Sequence, residues 1–261
     1  MIFQIIFEWK QMSENKSSSK GQIRVGKIVY EHGKQIVPSY PNFTPILCLT
    51  PSSPYGSIGP YVLKDEKGRI MENIWQFSKV YEKVPYTKEF YSRWDRTVIW
   101  EHPSEIHLNE DGKLTDKYWA WRKKGFECKY PVRYPVGFNH RGECLYALED
   151  SKNDSKEKLS YIDARKRIYV PVYTRLVKQQ KQYKELVERL NKGENLLIIE
   201  IDGPHQEALS YYKEKYGVND DFIVGSTIIA TESNLKIMLN DSKFPFGHGY
   251  VLAMALMGMN C

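Results

Sequence analysis

Glu200 stands inside the run Leu196-Leu-Ile-Ile-Glu-Ile201. A carboxylate set in a continuous apolar strand is costly to bury unless it is paired or put to use. Held dry, it titrates above the usual range, a property suited to acid–base work. At the strand end, beside Asp202-Gly203-Pro204, it could equally emerge into solvent. The loop Phe246-Gly247-His248-Gly249 precedes an apolar helical segment. Backbone N–H groups at a helix start receive phosphate, and His248 there can contact an anion or carry a proton; ordinary turn chemistry is the plainer alternative. Glu72, Gln76 and Lys79 step by four and three, so they form one polar row on a helix, which by default is solvated. Trp119, Trp121, Arg122 and Arg133 lie in segments that interleave aromatic and basic residues. Such segments suit base stacking and phosphate pairing with nucleic acid, or equally Arg stems laid over aromatic rings.

Other chemistries find no support. Glu101-His-Pro-Ser-Glu-Ile-His107 has metal-capable side chains, but Pro103 opposes a helix through it and the spacing is not HExxH. No metal and no cofactor is expected. Gly56-Ser57 lacks the nucleophile-elbow pattern, and neither a phosphate-binding GxxxxGK[ST] loop nor a dinucleotide GxGxxG follows a strand. Cys48, Cys128, Cys144 and Cys261 form no CxxC pair, which fits a reducing compartment, cytoplasmic or nuclear. The apolar start of the chain is broken by Glu8 and Lys10 and has no basic segment before it, so neither a signal peptide nor a membrane span is expected. Met12 offers a second start. Lys+Arg 38 against Asp+Glu 32 gives a net charge of +6, and 13% of the 261 residues are aromatic. A mildly basic, Tyr-rich chain suits a partner with phosphates and flat rings, although Tyr around a large core accounts for the same numbers.

The elements that must position these residues read as follows. Residues 1–22 form a disordered tail, and 23–261 a single α+β domain without repeats. Residues 23–50 alternate in short β pieces, residues 51–60 are a loop, and 61–63 a strand. Ile70, Ile74, Phe77 and Tyr81 predict a helix over 70–82. Residues 86–158 are dense in aromatics and charge, closing in a charged loop from 150 to 158. Tyr169 to Leu190 keeps helical spacing until Asn191-Lys192-Gly193. A buried strand follows to 201, then a helix over 204–217, apolar segments at 222–224 and 227–230, and an apolar helix over 250–259.

Three segments, in order, resemble the NADAR family, whose name reflects NAD and ADP-ribose metabolism. Pro54-Tyr-Gly-Ser-Ile-Gly-Pro-Tyr61 with Lys67-Gly-Arg-Ile-Met-Glu-Asn-Ile-Trp-Gln-Phe-Ser-Lys-Val-Tyr81 is similar to its opening loop, turn and Glu-bearing helix. The later helix, Gly193 and the strand ending in Glu200 are similar to its late helix, turn and second Glu. Phe246-Gly-His-Gly-Tyr-Val-Leu-Ala-Met-Ala-Leu-Met257 is similar to its closing loop and helix, with Phe246 where the family has Trp. The likeness covers roughly residues 54–82 and 161–258 and leaves 86–158 as an insertion.

The resemblance implies an N-glycosidase that hydrolyses a C1′–N bond in a phosphorylated or ADP-ribosylated nucleoside, such as ADP-ribosyl-guanine in nucleic acid or a ribosylated pyrimidine phosphate. It implies Glu72 and Glu200 as the catalytic carboxylates, and Gln76, Lys79, Gly247, His248 and Gly249 as substrate-binding residues. The rival expectation is a non-catalytic nucleic-acid or nucleotide-binding module that works through Trp119, Trp121, Arg122 and Arg133.

Overall fold

The computed structural model describes residues 20–150 and 157–259. The expected tail over 1–22 lies almost wholly outside them, as does most of the loop over 150–158. Residues 20–22 are already anchored: the Gly21 N–H donates to the Leu190 carbonyl at 2.7 Å.

The fold is α+β. Its main sheet has the order Thr227–Ile229, Ile23–Lys27, Leu196–Glu200, Thr44–Leu47. The last three strands are parallel, and Thr227–Ile229 runs antiparallel to Ile23–Lys27. Alternation along Leu196–Glu200 assigns its side chains to two faces. Leu196 and Ile198 join the main core with Val25 and Ile46. Leu197 and Ile199 face the opposite layer with Ile28 and Phe43. Glu200 continues the even-numbered face. On that face lies the helix His248–Leu256, apolar all round and buried throughout, as a helix enclosed on every side must be.

Among the described residues of this segment, 86–150, Tyr86, Tyr91, Trp94 and Phe138 are exposed, but the larger share of the aromatics is packed. Tyr118, Trp121 and Phe126, on the helix Asp116–Phe126, pack with Trp100, Val132, Val136 and Leu148 onto Phe77, Val80 and Tyr81. This is a second core, continuous with the segment after Glu72. The contact is close enough that a Cβ on Gly125 would sit 2.1 Å from the Phe77 ring.

Three elements differ from the sequence expectation. Residues 61–63 form a turn and not a strand. The helix over 70–82 stops at Gln76, and Lys79–Val80 becomes a strand paired with Tyr146–Ala147. The Ser78 hydroxyl donates to the Ile74 carbonyl at 2.6 Å where the helix ends. The long helix over 169–190 begins earlier, at Tyr161, and divides. A wide turn spans Arg165–Tyr169, with the Val170 N–H reaching back to the Arg165 carbonyl. Pro171 lacks the N–H that a regular turn needs here, and the wider winding accommodates it. Val170–Val177 then ends, and Lys181–Asn191 begins anew.

Candidate functional site

The three parallel strands end together, and in open sheets of this kind ligands gather beyond the strand carboxyl ends. Lys27, Cys48 and Glu200 stand at or just past those ends, with Asp202 two residues beyond Glu200. Glu200 is 2% exposed. One carboxylate oxygen accepts the N–H groups of Ile201 (2.7 Å) and Asp202 (3.3 Å), and the other accepts that of Gly249 at 2.6 Å. His248 Nδ1 lies 3.3 Å from the second oxygen, while its Nε2 meets the Cys48 carbonyl (3.2 Å) and thiol (3.4 Å). Burial alone would lower the His248 pKa, but Glu200, Cys48 and Asp202 outweigh it and raise it to about 10.

This geometry corrects two expectations. The loop Gly247–Gly249 is not open to phosphate, because the protein's own carboxylate occupies the start of the helix that the glycines lead into. A Cβ on Gly247 would come within 2.5 Å of the Glu200 carboxyl carbon, so the glycine makes room for Glu200 and not for a ligand. Glu200 and His248 are a saturated internal pair, with little left to offer a substrate.

Glu72 differs. It opens the helix Met71–Gln76, its N–H donates to the Pro60 carbonyl at 3.0 Å, and its side chain is buried. Gln76 Nε2 donates to Glu72 Oε1, and Lys79 Nζ donates to Gln76 Oε1, each at 2.8 Å. The row therefore survives as a relay, although Lys79 sits on a strand. Lys79 also lies 5.0 Å from the centre of the Trp75 ring. Burial raises the Glu72 carboxyl; Gln76, Lys79 and Arg133 pull it down, and Asp202 pushes it further up. Burial lowers Lys79 against the pull of Cys144, Glu72 and Asp202.

Asp202 is the residue that sequence reasoning passed over as part of a turn. Burial and then Glu200 raise its pKa to about 6, opposed by His248, Lys27 and Arg133. The available signal was positional: an acid just past the carboxyl end of an apolar parallel strand, next to Gly203 at φ +99°. Tyr61 and Tyr169 report that the acids share one neighbourhood, since both phenols are held up by burial and then by Glu72, Glu200 and Asp202. Both therefore stay protonated.

The four expected nucleic-acid contacts separate. Trp121 is fully buried, and Arg122 is 4% exposed, its guanidinium donating to the Leu148 carbonyl (3.0 Å) and the Tyr118 hydroxyl (3.3 Å). Neither can meet nucleic acid. Trp119 is half-buried, edge-on to Tyr118. Arg133 is exposed, with its guanidinium 5.6 Å from the Tyr61 ring centre. A cavity of about 400 Å³ beside Trp119 is lined by Lys67, Arg69, Arg122, Lys123 and Asp150 among others, and contains none of the carboxylates described above. Its charges are largely matched within the protein, Arg69 pairing with both Asp65 and Asp150.

Among the described residues, no group of three His, Cys, Asp or Glu side chains is arranged to hold a metal, and no helix is long and apolar enough to cross a membrane. No family model, curated protein or solved structure matches the chain.

Proposed function

We propose that the chain is an N-glycosidase of the kind its resemblance to the NADAR family implies, acting on the C1′–N bond of a phosphorylated or ADP-ribosylated nucleoside. The observation that carries this reading is the pair Glu72 and Asp202: two acids on separate segments, both held above the usual carboxylate range by burial, with the charge of Asp202 adding to the rise at Glu72. Environments that push acids out of their ordinary range mark acid–base sites. Asp202 here takes the role that the sequence suggested for Glu200.

Breaking a C1′–N bond builds positive charge on the ribose, as in glycoside hydrolysis. In this scheme Glu72, oriented by Gln76 and Lys79, stabilises that charge. Asp202, half ionised near pH 6, takes a proton from the attacking water as oxygen bonds to C1′. The electron pair of the C1′–N bond leaves with the base nitrogen, which is then protonated. Tyr61 and Tyr169, as neutral phenols, are donors to ribose or phosphate oxygens. Cys48, Cys128 and Cys144 are free thiols, which supports a cytoplasmic or nuclear setting.

The test is base release from ADP-ribosyl-guanine in DNA and from a ribosylated pyrimidine phosphate, comparing wild type with Glu72→Gln and Asp202→Asn. Release by wild type that both substitutions suppress supports the assignment; release equal in all three, or in none, overturns it. The binding-module reading is weakened by the burial of Trp121 and Arg122.

A further inference from the structure

Arg133 comes from the insertion, yet its guanidinium faces the chemistry of the segments outside it. The charges acting on it include those of Glu72 and Glu89, and it in turn bears on Asp202. Among the described residues it forms no ion pair within 4.0 Å, and its side-chain hydrogen bond is a 3.3 Å contact to the Tyr134 hydroxyl. Beneath it lies the ring of Tyr61. The hydroxyls of Tyr61 and Tyr169 have no hydrogen-bond partner among the described residues, although Tyr169 is only 6% exposed. An exposed guanidinium and the Tyr61 ring thus lie together, while Lys79, the cation that acts on Glu72 from the same row, is already bound to Gln76.

The backbone that presents Arg133 is fixed from two sides. The N–H groups of Arg133 and Tyr134 donate to the two oxygens of Glu89, at 3.2 and 3.0 Å. On the other side Asn73, fully buried and adjacent to Glu72, accepts the Val132 N–H at 2.8 Å and donates to the carbonyls of Cys128 (3.2 Å) and Tyr130 (2.9 Å). Such bracing is what a binding arm needs, because a group held in place before binding loses less freedom on binding. A planar guanidinium matches two phosphate oxygens at once.

We propose that Arg133, with the Tyr61 hydroxyl, receives the phosphate of the substrate, so that the insertion selects phosphorylated over unphosphorylated ribosides. This rests on the glycosidase reading only in taking the ligand to be a riboside phosphate. The test is equilibrium binding to the full chain, by calorimetry, of ribose 5-phosphate and of ribose. Wild type is expected to bind the phosphate at least tenfold more tightly. Arg133→Ala is expected to reduce that ratio to within twofold, and Arg133→Lys, which keeps the charge but not the fork, to leave it intermediate. Circular dichroism of both variants reports whether they fold, and the Lys variant keeps the test decisive if the Ala variant does not. A ratio preserved in the folded variants overturns the proposal, as does failure of wild type to bind ribose 5-phosphate at millimolar concentration. If the ratio depends on Arg133 but no substrate is cleaved, the glycosidase reading fails and this one stands. If cleavage depends on Glu72 while the ratio ignores Arg133, the reverse holds.

Discussion

At the carboxyl edge of the sheet, Glu200 sits against an imidazolium and accepts three backbone N–H groups. Glu72, by contrast, holds one oxygen to a glutamine, and Asp202, two residues past Glu200, has its pKa raised by burial and then by Glu200. Glu200 and Glu72 are buried and Asp202 is half-buried, and burial opposes ionisation of Glu72 and Asp202. What separates them is saturation. The Glu200 carboxylate has donors on both oxygens and a cation beside it, so its hydrogen-bonding capacity is spent within the protein. Glu72 and Asp202 have fewer donors, and burial holds both carboxyls above the usual range. A buried acid is therefore a poor marker of chemistry until its donors are counted.

That contrast can be broken most severely at Glu200. Glu200→Ala leaves His248 buried as a cation without its partner, and stability is expected to fall by about 3–5 kcal/mol, read from urea unfolding. An equally stable variant would mean that the pair is not saturated. Glu72→Gln is expected to lower base release about a hundredfold or more while leaving unfolding unchanged or slightly more costly, since a neutral amide replaces an acid that burial disfavours. Loss of fold together with activity would instead make Glu72 a second Glu200.

Asp202→Asn sharpens the comparison further, because it should stabilise the protein at neutral pH by up to about 3 kcal/mol. The sign follows from linkage. Folding raises the Asp202 pKa to about 6, above its unfolded value, so wild-type stability is full below about pH 4 and is lost as pH rises through 6. The gap between variant and wild type should open over that interval and stay level above it, in melts taken from pH 4 to 8. The smallest effect belongs to Gln76→Ala. It removes one hydrogen bond, about 1 kcal/mol, and it removes a contact that holds the Glu72 carboxyl down. The acidic limb of the pH–rate profile should then move to higher pH; an unmoved limb would separate Gln76 from the working carboxylate.

The charge in an apolar strand made Glu200 easy to single out, but a continuously apolar strand does not say which face it takes, and the pairing of Leu196–Glu200 between two parallel neighbours decides it. Its partner could not be read, because the Gly249 N–H arrives from 49 residues further along the chain, on another element. Asp202 was hidden for the opposite reason: Asp-Gly-Pro reads as a turn, and only the joint ending of parallel strands makes it a site. For Trp121 and Arg122 the signal was present and outweighed by composition. Tyr118, Trp121, Arg122 and Phe126 lie on one face of their helix, the spacing of a buried stripe. The helix over 70–82 had the right period, but pairing with Tyr146–Ala147 draws residues 79–80 into a strand, a tertiary choice that local pattern does not contain.

The clamp at Asn73 carries a consequence for anyone who would edit this molecule. The Asn73 amide ties Cys128, Tyr130 and Val132 to the helix bearing Glu72, and Phe77 packs on Trp121 beside it, so this segment is not a detachable module. Lengthening or shortening it by even one residue between Cys128 and Val132 should shift the register of Glu72 itself. A graft of residues 128–134 onto another scaffold would have to carry Asn73 and Glu89 with it.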